Sequence, residues 1–265
     1  MERSAAKTAL VTGAGMGIGR AVALTLAQAG YDVAVHCNGS VERAQQVKQD
    51  ILAMGRRCEI IRADLSHPQE IEGLFERHEA LFGRLDVLVA NAGLTVKGRF
   101  EEMQAEEIDR VFSVNFRGTY LCIQKAAALM KKCGARGSIV VISSNHYRMH
   151  HPLCSVYASL KAGLNKMAEH AALEYGKYGI RVNVIAPGWT DTGEARLGAK
   201  EPTYYHIPLR RWCRPEEIGQ AALFLSGPWA GSITGTVLTM DGGASLMSDS
   251  LEKYGYESRR EENHE

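Results

Sequence analysis

The sequence has no excess of charge of either sign. Its 265 residues include 31 lysines and arginines and 30 aspartates and glutamates, which leaves a formal net charge of +1 at pH 7. Nucleic acids and anionic lipid surfaces attract proteins chiefly through an excess of basic residues. The near-neutral balance therefore argues against nucleic acid and membrane surfaces as partners.

Paired cysteines and long apolar runs are also missing. The six cysteines are scattered, and no Cys-x-x-Cys pair occurs. This spacing disfavours a disulfide framework and a structural zinc site, and it fits a reducing compartment. The apolar stretch near the N-terminus is too short for a signal peptide or a membrane span. Together these absences predict a cytoplasmic protein.

Short apolar runs alternate with longer helical patterns along most of the chain. Runs of strand length lie at residues 8–11, 32–35, 59–61, 86–89, 138–142, 181–185 and 236–239. Continuous runs of Val, Ile and Leu are typical of strands that are buried on both faces, as in a parallel sheet covered by helices. The alternation predicts an α/β fold, a Rossmann-like doubly wound parallel sheet flanked by helices on both faces, in a single domain.

The composition changes only near the C-terminus. Residues 1–247 form one predicted domain, whereas residues 248–265 are charged and almost free of apolar periodicity. A segment of this kind is expected to be a solvated tail. Alternatively, its Leu251, Tyr254 and Tyr256 pack against a neighbouring subunit.

A glycine-rich turn follows the first predicted strand and opens a helical stretch. It consists of Thr12, Gly13, Ala14, Gly15, Met16, Gly17, Ile18 and Gly19. Glycine lets the backbone turn tightly, and the free N–H groups at a helix N-terminus attract anions such as a pyrophosphate. In this strand–turn–helix context the turn predicts a dinucleotide site. A tight turn without a ligand is the alternative.

Tyr157 and Lys161 lie four residues apart at the start of a predicted helix, so their side chains share one helix face. A phenol with a pKa near 10 is a poor proton carrier at neutral pH. A lysine ammonium about 4 Å away would favour the phenolate and lower that pKa. The pair therefore predicts general acid–base catalysis at Tyr157, although the same spacing alone also occurs in surface pairs.

These motifs resemble those of the short-chain dehydrogenase/reductase family. The turn has that family's T-G-x-x-x-G-x-G spacing, and Tyr157 and Lys161 match its Y-x-x-x-K motif. Ser144, thirteen residues before Tyr157, and Asn115 match its two other catalytic positions. The resemblance implies that Ser144 binds the substrate oxygen. It also implies that Asn115 orders a water behind Lys161 and completes a proton relay.

Further landmarks of the family follow in order between Lys7 and Leu246, including residues 214–218, 234–235 and 241–243. The resemblance implies an NAD(P)-binding domain at residues 1–247 and a homotetramer built through the helices that carry Asn115 and Tyr157. The residues expected to bind the cofactor are Gly13, Gly15, Met16, Gly17, Ile18, Gly19, Asn38, Ser40, Asp64, Leu65, Asn91, Ala92, Gly93, Tyr157, Lys161, Pro187, Gly188, Thr190 and Thr192.

The end of the second predicted strand bears on the choice between NAD and NADP. Cys37 stands where NAD enzymes of the family carry an aspartate that binds the ribose 2′-OH. Asn38, Ser40 and Arg43 would together contact a 2′-phosphate, although Met16 and Asn38 occupy places where NADP users often carry basic residues. We expect NADP(H) in preference to NAD(H).

A wall of the substrate pocket is expected between Ser144 and Tyr157. Ser144 and His146, with Pro152, resemble the sugar-oxidising glucose dehydrogenases of the family, in which a histidine follows the serine by two residues. His146 would hydrogen-bond a hydroxylated substrate, so Ser144, His146 and Tyr157 form the expected substrate site. The alternative is that His146 only fills the wall.

The same region carries two further features. His146, His150 and His151 lack a nearby pattern of carboxylate ligands, so we expect no metal. Residues 193–208 stand where the family places a mobile substrate lid, and Trp189, Tyr204 and Tyr205 would cover the nicotinamide or pack as ordinary aromatics.

Three functions are compatible with these observations. The first is an NAD(P)(H)-dependent oxidoreductase that transfers a hydride between nicotinamide and the carbonyl or secondary alcohol of a small molecule, such as a sugar or polyol. The second is a 3-oxoacyl-thioester reductase of the fatty-acid synthesis type, which shares the motifs. The third is a catalytically inactive protein that senses nicotinamide cofactors, against which the four intact catalytic positions argue.

Overall fold

The computed structural model describes residues 6–193 and 206–247. Within these ranges the strands are β1 (Thr8–Val11), β2 (Asp32–Cys37), β3 (Cys58–Arg62), β4 (Val87–Ala90), β5 (Ser138–Ile142), β6 (Arg181–Pro187) and β7 (Val237–Met240). The α-helices are α1 (Gly17–Gln28), α2 (Val41–Ala53), α3 (Pro68–Phe82), α4 (Ala105–Phe112), α5 (Thr119–Lys132), α6 (Ser155–Tyr175) and α7 (Pro215–Ser226). A π-helical turn, Ser113–Gly118, joins α4 directly to α5.

The strands form one parallel sheet in the order β3-β2-β1-β4-β5-β6-β7. The chain winds outward in one direction from β1 to β3 and in the other from β4 to β7. Ligands of such folds bind beyond the carboxyl ends of the strands, where the winding direction switches. The predicted doubly wound α/β fold is confirmed, and the switch lies between β1 and β4.

Two layers of helices bury the two faces of the sheet. In β1, Leu10 faces the layer formed by α3, α5 and α6, whereas Ala9 and Val11 face the layer formed by α1, α2 and α7. Side chains alternate between the faces of a strand, so a strand covered on both sides must be apolar throughout. The continuous apolar runs seen in the sequence follow from this double coverage.

Strands β2 and β6 are longer than the apolar runs that predicted them, because strand pairing continues past the ends of those runs. β2 continues to Cys37 because Cys37 still pairs with Arg62 of β3, and β6 continues to Pro187 opposite Met240 of β7. Backbone hydrogen bonding, rather than side-chain hydrophobicity, sets these ends. Both extensions carry the chain further toward the carboxyl edge.

Some of the predicted features lie outside the described residues. These are the tail at 248–265 and most of the expected lid, with Tyr204 and Tyr205, so the domain boundary at 247 stays a prediction. None of the helices in the described part of the chain has the length and apolar character needed to cross a membrane.

Gly19 lies in the first turn of α1, where the backbone of the glycine-rich turn passes directly over it. A Cβ atom at this position would lie 2.2 Å from the carbonyl oxygen of Gly13 and 2.6 Å from Nδ2 of Asn91. Because the closer atom belongs to the backbone, the turn would have to move to admit even one methyl group. Close packing between strand and helix therefore requires glycine here.

Gly19→Ala is expected to lower the free energy of unfolding by about 1–3 kcal/mol, the usual range for overpacking. Gly73→Ala is the matched control, because a Cβ at Gly73 within α3 has no neighbour within 4 Å. Alanine is the better helix former by about 1 kcal/mol, so this control should be stabilised. Chemical denaturation measures both changes, and a Gly19→Ala protein as stable as wild type would contradict the close packing.

Candidate active site

A groove of about 500 Å³ opens at the carboxyl ends of β1, β2, β3 and β4. The residues that line it are Gly13, Gly15, Met16, Ile18, Gly19, His36, Cys37, Asn38, Gly39, Ser40, Asp64, Leu65, Asn91, Ala92, Gly93, Leu94, Val114 and Thr192. Most of the predicted cofactor residues, drawn from distant segments, therefore meet in one groove. Gly17 lines an adjoining cavity of about 840 Å³ together with Thr192.

Thr12 and Asn91 hold the glycine-rich turn against the end of β4. The Thr12 hydroxyl accepts hydrogen bonds from the backbone N–H groups of Asn91, at 2.9 Å, and Ala92, at 3.0 Å. The Asn91 amide donates to the carbonyls of Thr12, at 2.9 Å, and Gly13, at 3.1 Å. The predicted Asn91–Gly93 segment thus supports the turn through a closed set of hydrogen bonds.

His36 secures the other side of the turn. Its Nδ1 accepts the backbone N–H of Gly13 at 3.0 Å, and its Nε2 lies 2.9 Å from the carbonyl of Ala63. With Nδ1 as the acceptor, Nε2 carries the proton and donates to Ala63. Burial lowers the pKa of His36 and so maintains this neutral form. One imidazole therefore links the glycine-rich turn, β2 and the end of β3.

The turn fits the pyrophosphate of a dinucleotide. Gly13 and Gly17 have φ angles of +64° and +53°, which side chains other than glycine rarely adopt. No side chain caps α1, and its first turn contains no acidic residue. Its leading N–H groups therefore lack the side-chain oxygen that usually satisfies them and remain available to an anion.

Ser144, Tyr157 and Lys161 meet where β5 ends and α6 begins. The Ser144 hydroxyl lies near that of Tyr157 and partly offsets the effect of burial on the Tyr157 pKa. The Lys161 ammonium donates to the carbonyl of Ile142 at 2.8 Å and lies 5.5 Å from the centre of the Tyr157 ring. Ser143 donates to the carbonyl of Lys161 at 2.9 Å. The three predicted catalytic side chains are thus brought together by contacts between one strand and one helix.

The predicted lowering of the Tyr157 pKa by Lys161 is wrong for this arrangement. Burial raises the pKa of Tyr157 above its ordinary value, and the Ser144 hydroxyl only partly opposes that rise. Burial also lowers the pKa of Lys161 to about 8, although its ammonium is bound by the Ile142 carbonyl. Desolvation thus favours the neutral form of each group.

Asn115 lies in the π-helical turn, a feature that is frequent at functional sites. Its Oδ1 accepts the backbone N–H of Leu94 at 2.9 Å, and its Nδ2 donates to the carbonyl of Leu94 at 2.8 Å. The side chain therefore ties the helix to the segment that follows β4. The predicted part of Asn115 in a water relay stays a prediction.

The segment from Pro187 to Thr192 leaves β6 at the same edge of the sheet. The Gly188 N–H donates to the carbonyl of Met240 at 2.9 Å, and the Thr190 hydroxyl donates to the carbonyl of Gly188 at 3.0 Å. Thr190 also pairs with Cys213. Thr192 reaches back to the glycine-rich turn, since a Cβ on Gly17 would lie 3.2 Å from its methyl carbon. The segment therefore closes the far end of the groove.

His146 stands beside Tyr157, and its predicted part in the substrate pocket stays a prediction. The two rings meet edge to face with their centres 5.3 Å apart. His146 lies in the short 3-10 turn Asn145–Tyr147, where its backbone N–H donates to the Ser144 hydroxyl at 3.3 Å. His150 is exposed, and the described residues include no cluster of metal-binding side chains.

Residues 13–245 match a family model described as enoyl-(acyl carrier protein) reductase. An L-rhamnose 1-dehydrogenase (NAD(P)(+)) of Sphingomonas is 36% identical over 242 residues, which cover 89% of this chain and 95% of the relative. The chain belongs to the short-chain dehydrogenase/reductase family. A 3-oxoacyl-(acyl-carrier-protein) reductase of Staphylococcus aureus is 38% identical, with 89% of this chain and 97% of the relative covered.

Solved structures of the family resemble this one closely. A short-chain dehydrogenase from Burkholderia cenocepacia, in complex with NADP, superimposes with a TM-score of 0.84. It is 36% identical, and the alignment covers 90% of this chain and 97% of that one. Membership of the short-chain family makes this protein an NAD(P)-dependent oxidoreductase that acts on a carbonyl or alcohol group of a small molecule.

Two residues of this short-chain dehydrogenase site were missed by sequence reasoning. His36 reads as one more position of a buried strand, and Ser143 is overshadowed by its neighbour Ser144. A polar residue inside an otherwise apolar run was the only available signal for His36. For Ser143 the sequence offered none, because its bond to Lys161 depends on how α6 crosses β5.

The pKa of Lys161 predicts how stability depends on pH. Burial lowers that pKa to about 8, whereas an unfolded lysine titrates near 10.4. Between these values the unfolded chain binds more protons, so the Lys161 contribution to stability increases as pH rises. From pH 7.5 to 9.5, the unfolding free energy of wild type should rise by about 2 kcal/mol relative to that of Lys161→Met.

Urea denaturation of both proteins at each pH measures this difference. Lys177→Met, at an exposed lysine beyond the end of α6, is the control and should follow wild type. Parallel pH profiles of wild type and Lys161→Met would show that Lys161 titrates normally in the folded protein.

Proposed function

We propose that the protein interconverts a carbonyl and a secondary alcohol on a sugar or polyol, with NADP(H) as the cofactor. The observation that carries the proposal is the juxtaposition of the Ser144 and Tyr157 hydroxyls at the carboxyl edge of the sheet. His146 lies on the same side, edge-on to Tyr157. The similarity to an L-rhamnose dehydrogenase supports a sugar as the substrate.

The side chains divide the work of proton transfer. When bound, the nicotinamide supplies or accepts the hydride. In reduction, Ser144 would hold the carbonyl oxygen and Tyr157 would donate its phenol proton to that oxygen. The raised pKa of Tyr157 keeps this proton in place at neutral pH. Lys161, with a pKa of about 8, lies close enough to the working pH to exchange the replacement proton, by way of the water assigned to Asn115.

The cofactor would lie along the groove from β2 to β6. The glycine-rich turn, with Met16 and Ile18, would take the pyrophosphate at the start of α1. Asn38, Ser40, Asp64 and Leu65 would surround the adenosine half. The residues proposed for the nicotinamide half are Asn91, Ala92, Gly93, Tyr157, Lys161, Pro187, Gly188, Thr190 and Thr192.

Two other functions would give different results in assays. A 3-oxoacyl-thioester reductase would reduce acetoacetyl thioester, and the similarity to the Staphylococcus aureus reductase favours this second candidate. A cofactor-sensing protein would bind NADPH tightly without turning over any substrate. Four intact catalytic positions argue for an enzyme in preference to a sensor.

Absorbance of the reduced nicotinamide provides the decisive screen. Sugars, polyols, simple ketones and acetoacetyl thioester are tested with NAD(H) and NADP(H). We expect turnover of a sugar or polyol, and we expect Tyr157→Phe to lower kcat by at least about 10²-fold through loss of the transferred proton. NADPH affinity, measured by fluorescence titration, should remain nearly unchanged. An active Tyr157→Phe protein would refute the role of this phenol.

The end of β2 favours NADP over NAD. Cys37 is buried and supplies no carboxylate to bind a 2′-hydroxyl or repel a 2′-phosphate. The Arg43 guanidinium lies over the glycine-rich turn, with Nη1 2.9 Å from Sδ of Met16. Arg62 donates from Nε to the carbonyl of Asn38 at 2.9 Å. Two guanidinium groups thus flank the place where a 2′-phosphate would lie.

Arg43→Ala should raise the KM for NADP about tenfold or more, the usual loss for a hydrogen bond to a charged group. The KM for NAD should change little, because NAD has no 2′-phosphate. Arg77→Ala, at an exposed arginine of α3, is the matched control. Steady-state kinetics with both cofactors measure the effect, and equal losses for NAD and NADP would contradict a phosphate contact.

We also propose a homotetramer built through the helices that carry Asn115 and Tyr157. A depression of about 470 Å³, lined by Phe116, Tyr120, Met167 and neighbours, runs between α5 and α6. Tyr120 of α5 is 53% exposed, and Leu173 of α6 is 80% exposed. Apolar patches of this kind mark interfaces. Light scattering should give four times the 29.0 kDa mass of one chain, and a monomer would overturn the proposal.

A cytoplasmic location stays a prediction. All six cysteines are free thiols. Unpaired, mostly buried cysteines are expected of a protein in a reducing compartment.

A further inference from the structure

Three aromatic rings form a chain of contacts that begins at Tyr157. His146 contacts Tyr157 edge to face, and His151 stacks on His146 with ring centres 4.3 Å apart. Trp189, two residues after the end of β6, meets His151 edge to face at 5.0 Å. His146 and His151, here called the imidazole pair, therefore lie between Tyr157 and Trp189.

The imidazole pair has unused hydrogen-bonding capacity. Nδ1 of His146 and Nε2 of His151 are buried and have no hydrogen-bond partner among residues 6–193 and 206–247. Buried polar atoms are normally paired, and unpaired ones destabilise the folded protein. Beside the phenol proposed to transfer the proton, such atoms indicate groups kept for a ligand. Ring stacking holds the pair in place without consuming any of these nitrogens.

The charges around the pair are all of one sign. Lys97, Lys161 and the partner imidazole act on His146, and Lys97 and His206 act on His151. None of these effects comes from a carboxylate in the described part of the chain. Burial and these basic groups lower the pKa of both imidazoles, that of His146 to about 4, so the pair is neutral at pH 7.

Lys97 supplies a positive charge that acts on both members of the pair. It is exposed, and it forms no ion pair within residues 6–193 and 206–247. The loop that carries it is attached to the pocket wall, because the Gly98 N–H donates to the carbonyl of Leu153 at 3.0 Å. An uncompensated lysine beside neutral imidazoles forms a site for a single negative charge.

We propose that the substrate is a hydroxylated carboxylate, such as a sugar acid, whose carboxylate lies against His151 and Lys97 while its reacting carbon lies at Tyr157. The inference rests on the proposed function, which supplies the reacting alcohol or carbonyl. One lysine and two single imidazole donors match the charge of a carboxylate better than the double charge of a phosphate. A neutral sugar would form no ion pair with Lys97.

Binding of a carboxylate substrate should depend on pH, whereas binding of a neutral substrate should not. A bound carboxylate stabilises protonated imidazole, so binding should take up protons and tighten as pH falls from 8 to 6. The groups that face the pair are Lys97, Lys161, Tyr157 and His206. The protons taken up should fall on the imidazoles of His146 and His151.

The test uses the full chain and four sugar compounds, D-glucose, D-glucitol, D-gluconate and D-glucuronate, with D-glucose 6-phosphate as a doubly charged comparison. With NADP⁺ at pH 6.5, the two acids should have a kcat/KM at least about tenfold above the two neutral compounds. Their KM values should fall between pH 8 and pH 6, while those of the neutral compounds stay level. Calorimetric titration with D-gluconate in two buffers of different ionisation enthalpy gives the proton uptake without requiring turnover.

Two variants separate the carboxylate site from general damage. His151→Phe keeps an aromatic ring against His146 and Trp189 but removes both nitrogens, and Lys97→Met removes the charge. Each should remove most of the preference for acids by raising their KM, with a smaller change in kcat. Lys177→Met removes one surface charge beyond the far end of α6 and should behave as wild type.

Failure of the carboxylate site and failure of the proposed function would give different results. Turnover of D-glucose or D-glucitol without the acids, or D-gluconate binding without proton uptake, overturns the carboxylate site and leaves the oxidoreductase proposal intact. Reduction of acetoacetyl thioester with no turnover of any sugar compound overturns the sugar assignment and the carboxylate site together. Turnover confined to D-glucose 6-phosphate shows an anion site of the wrong class and also overturns the inference.

Discussion

The start of α6 is attached to the end of β5 by two hydrogen bonds that run in opposite directions. Lys161 donates its ammonium to the carbonyl of Ile142, and Ser143 donates its hydroxyl to the carbonyl of Lys161. Tyr157 lies one helical turn before Lys161, and Ser144 directly follows Ser143. These two bonds therefore set the distance between the proton donor and the group that orients the substrate. Without these bonds, the distance between the Ser144 hydroxyl, which follows β5, and the Tyr157 hydroxyl, on α6, would not be fixed.

Burial governs the protonation states around this attachment. Desolvation raises the pKa of Tyr157 and lowers those of Lys161, His36 and His146, so each neutral form is favoured. Neutral His36 can accept the Gly13 N–H, and neutral Tyr157 carries a proton that reduction requires. Exclusion of water at the carboxyl edge of the sheet thus keeps His36 in the form that binds the glycine-rich turn. It also keeps on Tyr157 the proton that reduction requires.

The cofactor half and the reacting half of the site meet through the segment after β4. Thr12 and Asn91 bind this segment to the glycine-rich turn, and Asn115 binds Leu94 a few residues further on. The π-helical turn places Asn115 where its amide can satisfy both backbone groups of Leu94. A structural change in either half of the site would therefore be transmitted to the other half through a few consecutive residues.

The sequence alone determined the fold class, the succession of strands and the positions of the glycine turn, Ser144, Tyr157 and Lys161. These follow from local properties: apolar runs, glycines where the backbone turns sharply, and a four-residue spacing along a helix. Strand ends were predicted less well, because Cys37 and Pro187 are held by neighbouring strands.

Only the tertiary structure decided what these groups do to one another. The spacing of Tyr157 and Lys161 predicted a lowered pKa for Tyr157, whereas burial of the phenol raises that pKa. The bond from Gly13 to His36 and the edge-to-face contact of His151 with Trp189 join segments that lie far apart in the chain. Solvent exclusion and contacts between distant segments depend on the packed fold, so no local pattern in the sequence records them.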